Sequence, residues 1–297
     1  MKLGSASALS ALIVLGCATS VDVDPNDEVT PGPPDTEIFV VSVGLDQNGR
    51  PRLGTPVNLT NRPGYDNQPA FTASGDLLYT RMDDQGATDI WMFPSGSTTS
   101  RQVTNTAESE YSPLPLSSGS FRVVRVEADE KQRLWNFGPD GAPSLVAPEL
   151  EPVGYHALAG ESIVAFILGD PPTLVVSDGS GTNPRTVSEN PGRALIRLGD
   201  DRVAFVQKSE EARWEVIELD LGTNQLKSLA LLPAGREDFT VDPDGSLWTG
   251  EGSKLLRWNR SMRRWDEIAD YAGTGIREIT RLTFDRNGSR LAFVAER

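Results

Sequence analysis

A sequence pattern that recurs about every 42 residues constrains the fold of this chain more than any other feature. Short segments that close each repeat have their centres separated by 44, 42, 42, 42 and 39 residues. Those centres are Leu59, Val103, Leu145, Val187, Leu229 and Ile268. A second segment, represented by Leu78-Tyr79 and Ala292-Phe293, recurs in register with the first. A steady period of this size is typical of repeat architectures.

The unit between Asn67 and Thr104 shows what one repeat contains. Four short apolar or alternating segments are separated by turns rich in Gly, Asp and Asn, such as Ser74-Gly75-Asp76. Gly and Pro supply 28 and 21 of the 297 residues, which suits short strands joined by tight turns and argues against long helices. Four strands in a period near 42 residues predict one blade of a β-propeller.

The number of units predicts how the ring closes. After the fifth complete unit, only two strands remain, near Ile279–Phe284 and Arg290–Ala295. Before the first complete unit, Ile38–Val43 and Val57–Thr60 are also left without partners. We therefore expect an all-β, six-bladed propeller of four-stranded antiparallel blades over residues 37–297. Its last blade takes an inner pair from the C-terminus and an outer pair from the N-terminus, which removes exposed sheet edges.

Several pieces of these units resemble the TolB-type propeller repeat: Asn67–Phe71, Asp89–Trp91, Gln102–Thr104, Glu110–Pro113 and the turn Asp242–Gly245. The resemblance covers most of residues 37–297 and is weakest in the third and fourth units. It implies a propeller that binds partners over its central channel. TolB-type proteins carry an α/β domain ahead of the propeller, whereas we expect only a tether there in this chain.

The N-terminus predicts export and anchoring. Lys2 followed by the apolar stretch Ala6–Leu15 is typical of a signal peptide and too short for a membrane-spanning helix. Val14-Leu15-Gly16-Cys17 resembles a bacterial lipoprotein box, so we expect residues 1–16 to be removed and Cys17 to be lipidated. The alternative is an ordinary secretory signal that is cut after Ala18-Thr19-Ser20, with Cys17 discarded.

Residues 17–36 are predicted to be a flexible linker, because they are acidic and contain four prolines. Ala18 stands where an Asp would resemble a signal for retention in the inner membrane. We therefore expect an outer-membrane lipoprotein that faces the periplasm, with a secreted or surface protein as the alternative.

Composition excludes several classes of function. A formal net charge of −14 argues against nucleic-acid binding, which needs clustered cations. One Cys and one His exclude an intrachain disulfide and multi-Cys or multi-His metal centres, so no metal or cofactor is expected. Turns such as Asp242–Gly245 lack the distal carboxylate of a calcium loop and are predicted to be hairpin turns. A catalytic triad would have to use His156, but no Gly-x-Ser-x-Gly elbow is present.

The connections that lead into the innermost strands are the predicted working surface. Tyr and Arg side chains are favoured anchors in recognition, and this surface also carries carboxylates. The candidate partner-binding residues are Asp66, Asn67, Glu110, Tyr111, Tyr155, His156, Arg193, Arg236, Glu237 and Arg277, with Tyr65, Glu108 and Asp238 beside them. A basic, aromatic cluster over Arg257–Trp265 is expected on the outer hairpin of the fifth blade.

These observations predict an envelope lipoprotein whose propeller is a non-catalytic binding or scaffolding module for a protein or peptide. Two alternatives stay open. One is a propeller hydrolase or lyase that acts on envelope or extracellular polymers through a central acidic and His site, because paired carboxylates can perform acid–base work. The other is a structural spacer in an envelope assembly.

Overall fold

The computed structural model describes residues 33–209 and 213–296, which fold into six antiparallel sheets arranged as the blades of a propeller. The N-terminal strands are β1 (Thr36–Leu45), β2 (Pro51–Leu53) and β3 (Val57–Asn58). Blade 1 contains β4 (Asp66–Phe71), β5 (Leu77–Met82), β6 (Thr88–Phe93) and β7 (Arg101–Gln102). Blade 2 contains β8 (Ser109–Pro115), β9 (Phe121–Val126), β10 (Gln132–Phe137) and β11 (Pro143–Val146).

The remaining strands follow in the same order. Blade 3 contains β12 (Val153–Ala159), β13 (Ser162–Ile167), β14 (Thr173–Ser177) and β15 (Arg185–Glu189). Blade 4 contains β16 (Pro191–Arg197), β17 (Arg202–Gln207), β18 (Glu215–Asp220) and β19 (Leu226–Leu231). Blade 5 contains β20 (Phe239–Val241), β21 (Leu247–Glu251), β22 (Lys254–Asn259) and β23 (Arg264–Asp270). Two short 3-10 helices, Ser117–Gly119 and Ala272–Thr274, lie in connections.

Blade 6 confirms the predicted closure. Its inner strands are β24 (Ile279–Phe284) and β25 (Arg290–Glu296), and β25 pairs with β1 from the other end of the chain. The outermost position is shared by β2 and β3, which pair with different parts of β1. The short strand β2 was not predicted, because Pro51, Gly54 and Pro56 interrupt any strand pattern there.

The second strand of each blade contains a run of four or five consecutive buried residues, most of them apolar, because both of its faces are covered. In β9, Val123 packs in the layer between blades 1 and 2, whereas the next residue, Val124, packs in the layer between blades 2 and 3. The same holds for β25, in which Leu291–Ala295 are all fully buried. Strand side chains alternate between faces, so continuous burial requires a neighbouring blade on each side.

Aspartate-led turns connect many of the strands. Asp46 Oδ1 accepts hydrogen bonds from the backbone N–H groups of Asn48 and Arg50 at 2.8 and 2.9 Å, and Gly49 has a φ of 72°. These backbone donors lower the pKa of Asp46. Asp285 forms the equivalent turn before β25, accepting from the Ser289 N–H at 2.8 Å. Carboxylates of this kind stabilise tight turns by accepting from the turn's own backbone, as the sequence predicts.

Three inner strands contain the same irregularity. Gln68, Ser112 and Arg281 adopt φ values of 55°, 52° and 49°, and each lies where its strand slips out of register with the second strand. Gln68 uses the irregularity to join two blades, because its Oε1 accepts from the Ser112 backbone N–H at 2.8 Å. An extra residue of this type redirects side chains near the channel.

Candidate functional site

Side chains from five blades converge at one end of the central channel. Successive inner strands begin at this end, since each is entered from the outermost strand of the preceding blade. The pKa of Tyr65 is raised by burial and is further influenced by the charges of four neighbours. Those neighbours are Arg281, Tyr155, Tyr111 and Arg193. We call these five residues the channel mouth.

One contact crosses the ring. Arg281 Nη2 donates to the Tyr155 hydroxyl at 2.9 Å, and the Arg281 guanidinium lies 4.8 Å from the centre of the Tyr155 ring. Arg281 belongs to blade 6 and Tyr155 to blade 3, so the pair joins opposite sides of the propeller. The side chain of Arg281 is only 14% exposed. The channel is therefore bridged at its mouth.

A chain of ion pairs extends from this bridge along the rim. Arg281 Nε lies 3.8 Å from Asp238 Oδ1, and Arg193 approaches the same carboxylate with an Nη2–Oδ2 distance of 2.5 Å. Arg193 Nε also lies 3.2 Å from Glu237 Oε1. Lys208 Nζ lies 2.5 Å from Oε2, the other oxygen of the same carboxylate. Burial alone would raise the pKa of Asp238, but Arg193 and Arg281 together hold it below its usual value. Asp238 is therefore a buried anion that orients two arginines.

Two buried carboxylates lie at the start of blades 1 and 2. Asp66 and Glu110 are both fully buried. Burial raises the pKa of Asp66 to about 6, although the positive charge of Arg62 acts to lower it. Arg62 Nη1 lies 3.1 Å from Asp66 Oδ1. Burial raises the pKa of Glu110 to about 7, although Thr106 donates to it at 2.5 Å and Arg125 Nε lies 3.3 Å away. These carboxylates fix the entry of their strands and do not reach the surface.

His156 is buried on β12, with 8% of its surface exposed. Burial lowers its pKa to about 3, and the charge of Arg122 acts in the same direction. Neither ring nitrogen has a hydrogen-bond partner among the described residues. The hydroxyl and carboxylate contacts of a nucleophile–His–acid triad are thus not formed around His156 in the part of the chain that the structure describes.

The structure brings some of the predicted residues together and separates others. Tyr111, Tyr155 and Arg193 belong to the channel mouth, and Glu237 lies beside it on the rim. Arg236 lies farther along the rim, where it forms an ion pair with Glu278.

The other predicted residues do not contribute side chains to the mouth. Arg277 is exposed, and its backbone N–H donates to the Glu296 carbonyl at 3.1 Å. Asp66, Asn67, Glu110 and His156 are buried, so a partner at the mouth would not touch their side chains. Cys17 lies outside the described residues.

Arg281, Lys208 and Glu278 belong to this surface and were not predicted. Arg281 has the same left-handed conformation as Gln68 and Ser112. Those two residues precede Pro69 and Pro113, whereas Arg281 precedes Leu282. Arg281 could be found from the sequence by aligning the inner strands on this left-handed position without requiring a proline after it.

No protein-family model matches the chain, and no curated protein matches it by sequence. Among solved structures, TolB from Acinetobacter baumannii aligns with a TM-score of 0.57 and 11% identity, over 88% of this chain and 64% of that TolB. A protein from Agrobacterium tumefaciens assigned as TolB aligns with a TM-score of 0.65 and 10% identity, over 89% of this chain and 99% of its own. The fold is a TolB-like β-propeller.

TolB-like propellers share this architecture with enzymes. An oligogalacturonate lyase solved in complex with manganese aligns with a TM-score of 0.56 and 13% identity, over 86% of this chain and 82% of the lyase. Identities at this level establish a common fold and leave the function of the TolB-like chain to be argued from its own residues.

The basic, aromatic cluster of the TolB-like propeller lies where the sequence predicts it, on the hairpin between the third and fourth strands of blade 5. Trp258 and Trp265 are paired across the two strands with ring centres 5.2 Å apart. Arg264 is bound to Asp266 at 2.7 Å. Arg257 pairs with Asp242, outside the hairpin, at 3.1 Å, so two of the cluster's four arginines have a carboxylate partner.

Residues 33–209 and 213–296 contain no group of three or more His, Cys, Asp or Glu side chains placed to hold a metal ion. Nor does any helix in this part of the TolB-like chain have the length and apolar character that a bilayer-spanning segment requires.

Proposed function

We propose that this chain is an envelope lipoprotein whose propeller binds a protein or peptide partner at the channel mouth. The observation that carries the proposal is the convergence of three tyrosines and two arginines from five blades on one end of the channel. Tyr and Arg are the residue types that most often dominate binding energy at protein interfaces. The TolB-like fold supports the same face as a docking surface.

The ion-pair chain suits this role because it holds the mouth in one arrangement before a partner arrives. Arg193 and Arg281 are both oriented by buried Asp238, so little side-chain entropy remains to be lost on binding. The exposed portions of Lys208, Arg236 and Glu237 place charges of both signs on the rim beside blades 4 and 5. A rim of this kind selects partners by charge complementarity.

A triple variant tests the binding face. In Tyr111→Ala/Tyr155→Ala/Arg236→Ala, loss of two aromatic contacts and one cation should weaken capture of the partner at least tenfold, because interface anchors of this type each contribute more than about 1 kcal/mol. The measurement is pull-down of envelope proteins by the tagged full-length chain, followed by titration of the captured partner.

The matched control removes three apolar side chains from exposed positions away from the mouth, in Leu226→Ala/Leu231→Ala/Met262→Ala. Both variants must retain the wild-type circular dichroism spectrum. Capture that survives the mouth variant unchanged would refute the proposed face, and equal loss in both variants would place binding elsewhere.

The anchor is tested at the N-terminus. Mass spectrometry of the chain purified from membranes should find Cys17 as the first residue, carrying acyl chains, and Cys17→Ala should move the chain to the soluble fraction. More than one acyl chain gives stable membrane attachment. An unmodified chain that begins at Val21 would overturn the lipoprotein assignment and leave the mouth proposal intact.

A further inference from the structure

Arg122 is a buried cation without a carboxylate partner. It is 7% exposed, and none of the ion pairs among the described residues includes it. Its Nε donates to Asn136 Oδ1 at 2.8 Å, while its Nη1 is buried and has no partner in the part of the chain that the structure describes. Burial lowers the pKa of Arg122. A guanidinium keeps its charge in proteins, so this burial calls for a compensating anion.

His156 is directed into the same layer of the propeller. Arg122 lies two residues from Val124 on β9, so both side chains point towards blade 3. His156 is paired with Ala165, which packs against Val124, so His156 points towards blade 2. The strands that carry the two side chains, β9 and β12, contact each other, and the charge of Arg122 contributes to the lowered pKa of His156. Three buried nitrogens in this layer lack partners among residues 33–209 and 213–296: Arg122 Nη1 and both ring nitrogens of His156.

We propose that Arg122 and His156 form a binding site for a small monovalent anion of the chloride class, between blades 2 and 3. Arg122 supplies the charge and one N–H donor, and the neutral imidazole supplies a second N–H. The site is independent of the proposed function.

The anion must be small because both side chains are more than nine-tenths buried among apolar residues of the two blades. An ordered water would satisfy the hydrogen bonds but would leave the guanidinium uncompensated in a region of low dielectric. The chain's net charge of −14 disfavours loose association of anions, so occupancy requires specific donors.

The single histidine makes this site observable in the full chain. With a histidine-free affinity tag, His156 gives the only imidazole signals in a ¹H–¹⁵N spectrum. Chloride replaces gluconate, an anion too large for the site, at constant ionic strength. We expect the imidazole resonances to shift along a saturable curve and bromide to compete for the same transition.

Two variants separate the site from a general salt effect. Arg122→Met should weaken the response at least about tenfold, because it removes a charged hydrogen-bond donor. Arg101→Met changes an exposed arginine on β7 and should leave the response unchanged.

If Arg122→Met does not fold, the wild-type titration and bromide-soaked crystals decide the matter. An anomalous bromide peak in contact with Arg122 Nη1 and His156 supports the proposal. The proposal is overturned if the imidazole resonances have the same positions in chloride and in gluconate. It is also overturned if the site is empty or holds water in the bromide-soaked crystals.

Discussion

Removal of Leu291–Arg297 is expected to unfold the whole propeller. The deletion takes away β25, which pairs with β24 on one side and with β1 on the other. Five consecutive buried residues, Leu291–Ala295, leave the layers that blade 6 shares with its neighbours. Burying one large apolar side chain contributes about 1.5–3 kcal/mol. Loss of Leu291, Phe293 and Val294 therefore removes about 4.5–9 kcal/mol, which is comparable to the net stability of about 5–15 kcal/mol of a typical domain. Tryptophan fluorescence and circular dichroism during urea unfolding measure the result.

Point variants provide the matched comparison. Phe293→Ala, at a fully buried position of β25, should lower the free energy of unfolding by about 3–5 kcal/mol. Leu226→Ala, at a position that is 51% exposed on β19, should change it by less than about 0.5 kcal/mol. A deleted chain that still unfolds cooperatively, with the wild-type midpoint, would show that the ring does not depend on this closure.

Glu110 is expected to make the wild-type propeller less stable as the pH rises. An ordinary Glu has a pKa of about 4.3, whereas burial raises that of Glu110 to about 7. The folded chain therefore binds more protons than the unfolded chain between these values. The contribution of Glu110 to the free energy of unfolding is highest below the pKa that Glu110 has in the unfolded chain. This contribution is lost as the pH rises through the pKa that Glu110 has in the folded chain. The loss is about 4 kcal/mol by about pH 8, at about 1.4 kcal/mol per tenfold change in proton affinity.

The measurement compares urea unfolding of wild type and Glu110→Gln from about pH 4 to about pH 8. The free energy of unfolding of the variant should lack the part of the decline that Glu110 causes. The effects of Asp66 and His156 are common to both chains, so they cancel in the difference between the two curves. Arg125 keeps a carboxylate partner in the variant, because it also pairs with Glu108. Glu149→Gln, at an exposed position, serves as the control and should follow wild type. Parallel curves for wild type and Glu110→Gln would contradict the prediction.

The architecture could be predicted because its cause lies within each repeat. A strand buried on both faces is mostly apolar, so segments such as Val203–Val206 are visible in the sequence, and their spacing determines the number of blades. Short β2 escaped prediction because its pairing depends on β1, which lies across a turn, and its own residues have no strand pattern.

The site was harder to predict because its geometry depends on distances across the ring. The inner-strand positions of Tyr111, Tyr155 and Arg193 follow from the repeat, but the reach of Arg281 to Tyr155 does not. Acidic residues at the start of a strand are usually exposed, yet Asp66 and Glu110 are buried. Their burial comes from the packing of whole blades, which a single repeat does not reveal.

The pairing of β1 with β25 also has a mechanical consequence. Thr36 is the first residue of β1, and seven consecutive register pairs connect this strand to β25. A pull applied upstream of Pro33 and directed along the channel axis runs parallel to the two strands, so it loads their hydrogen bonds together in shear. Strands peeled apart from one end would instead break their bonds one at a time. The strand that closes the ring is therefore also suited to carry tension that enters the propeller from its N-terminal side.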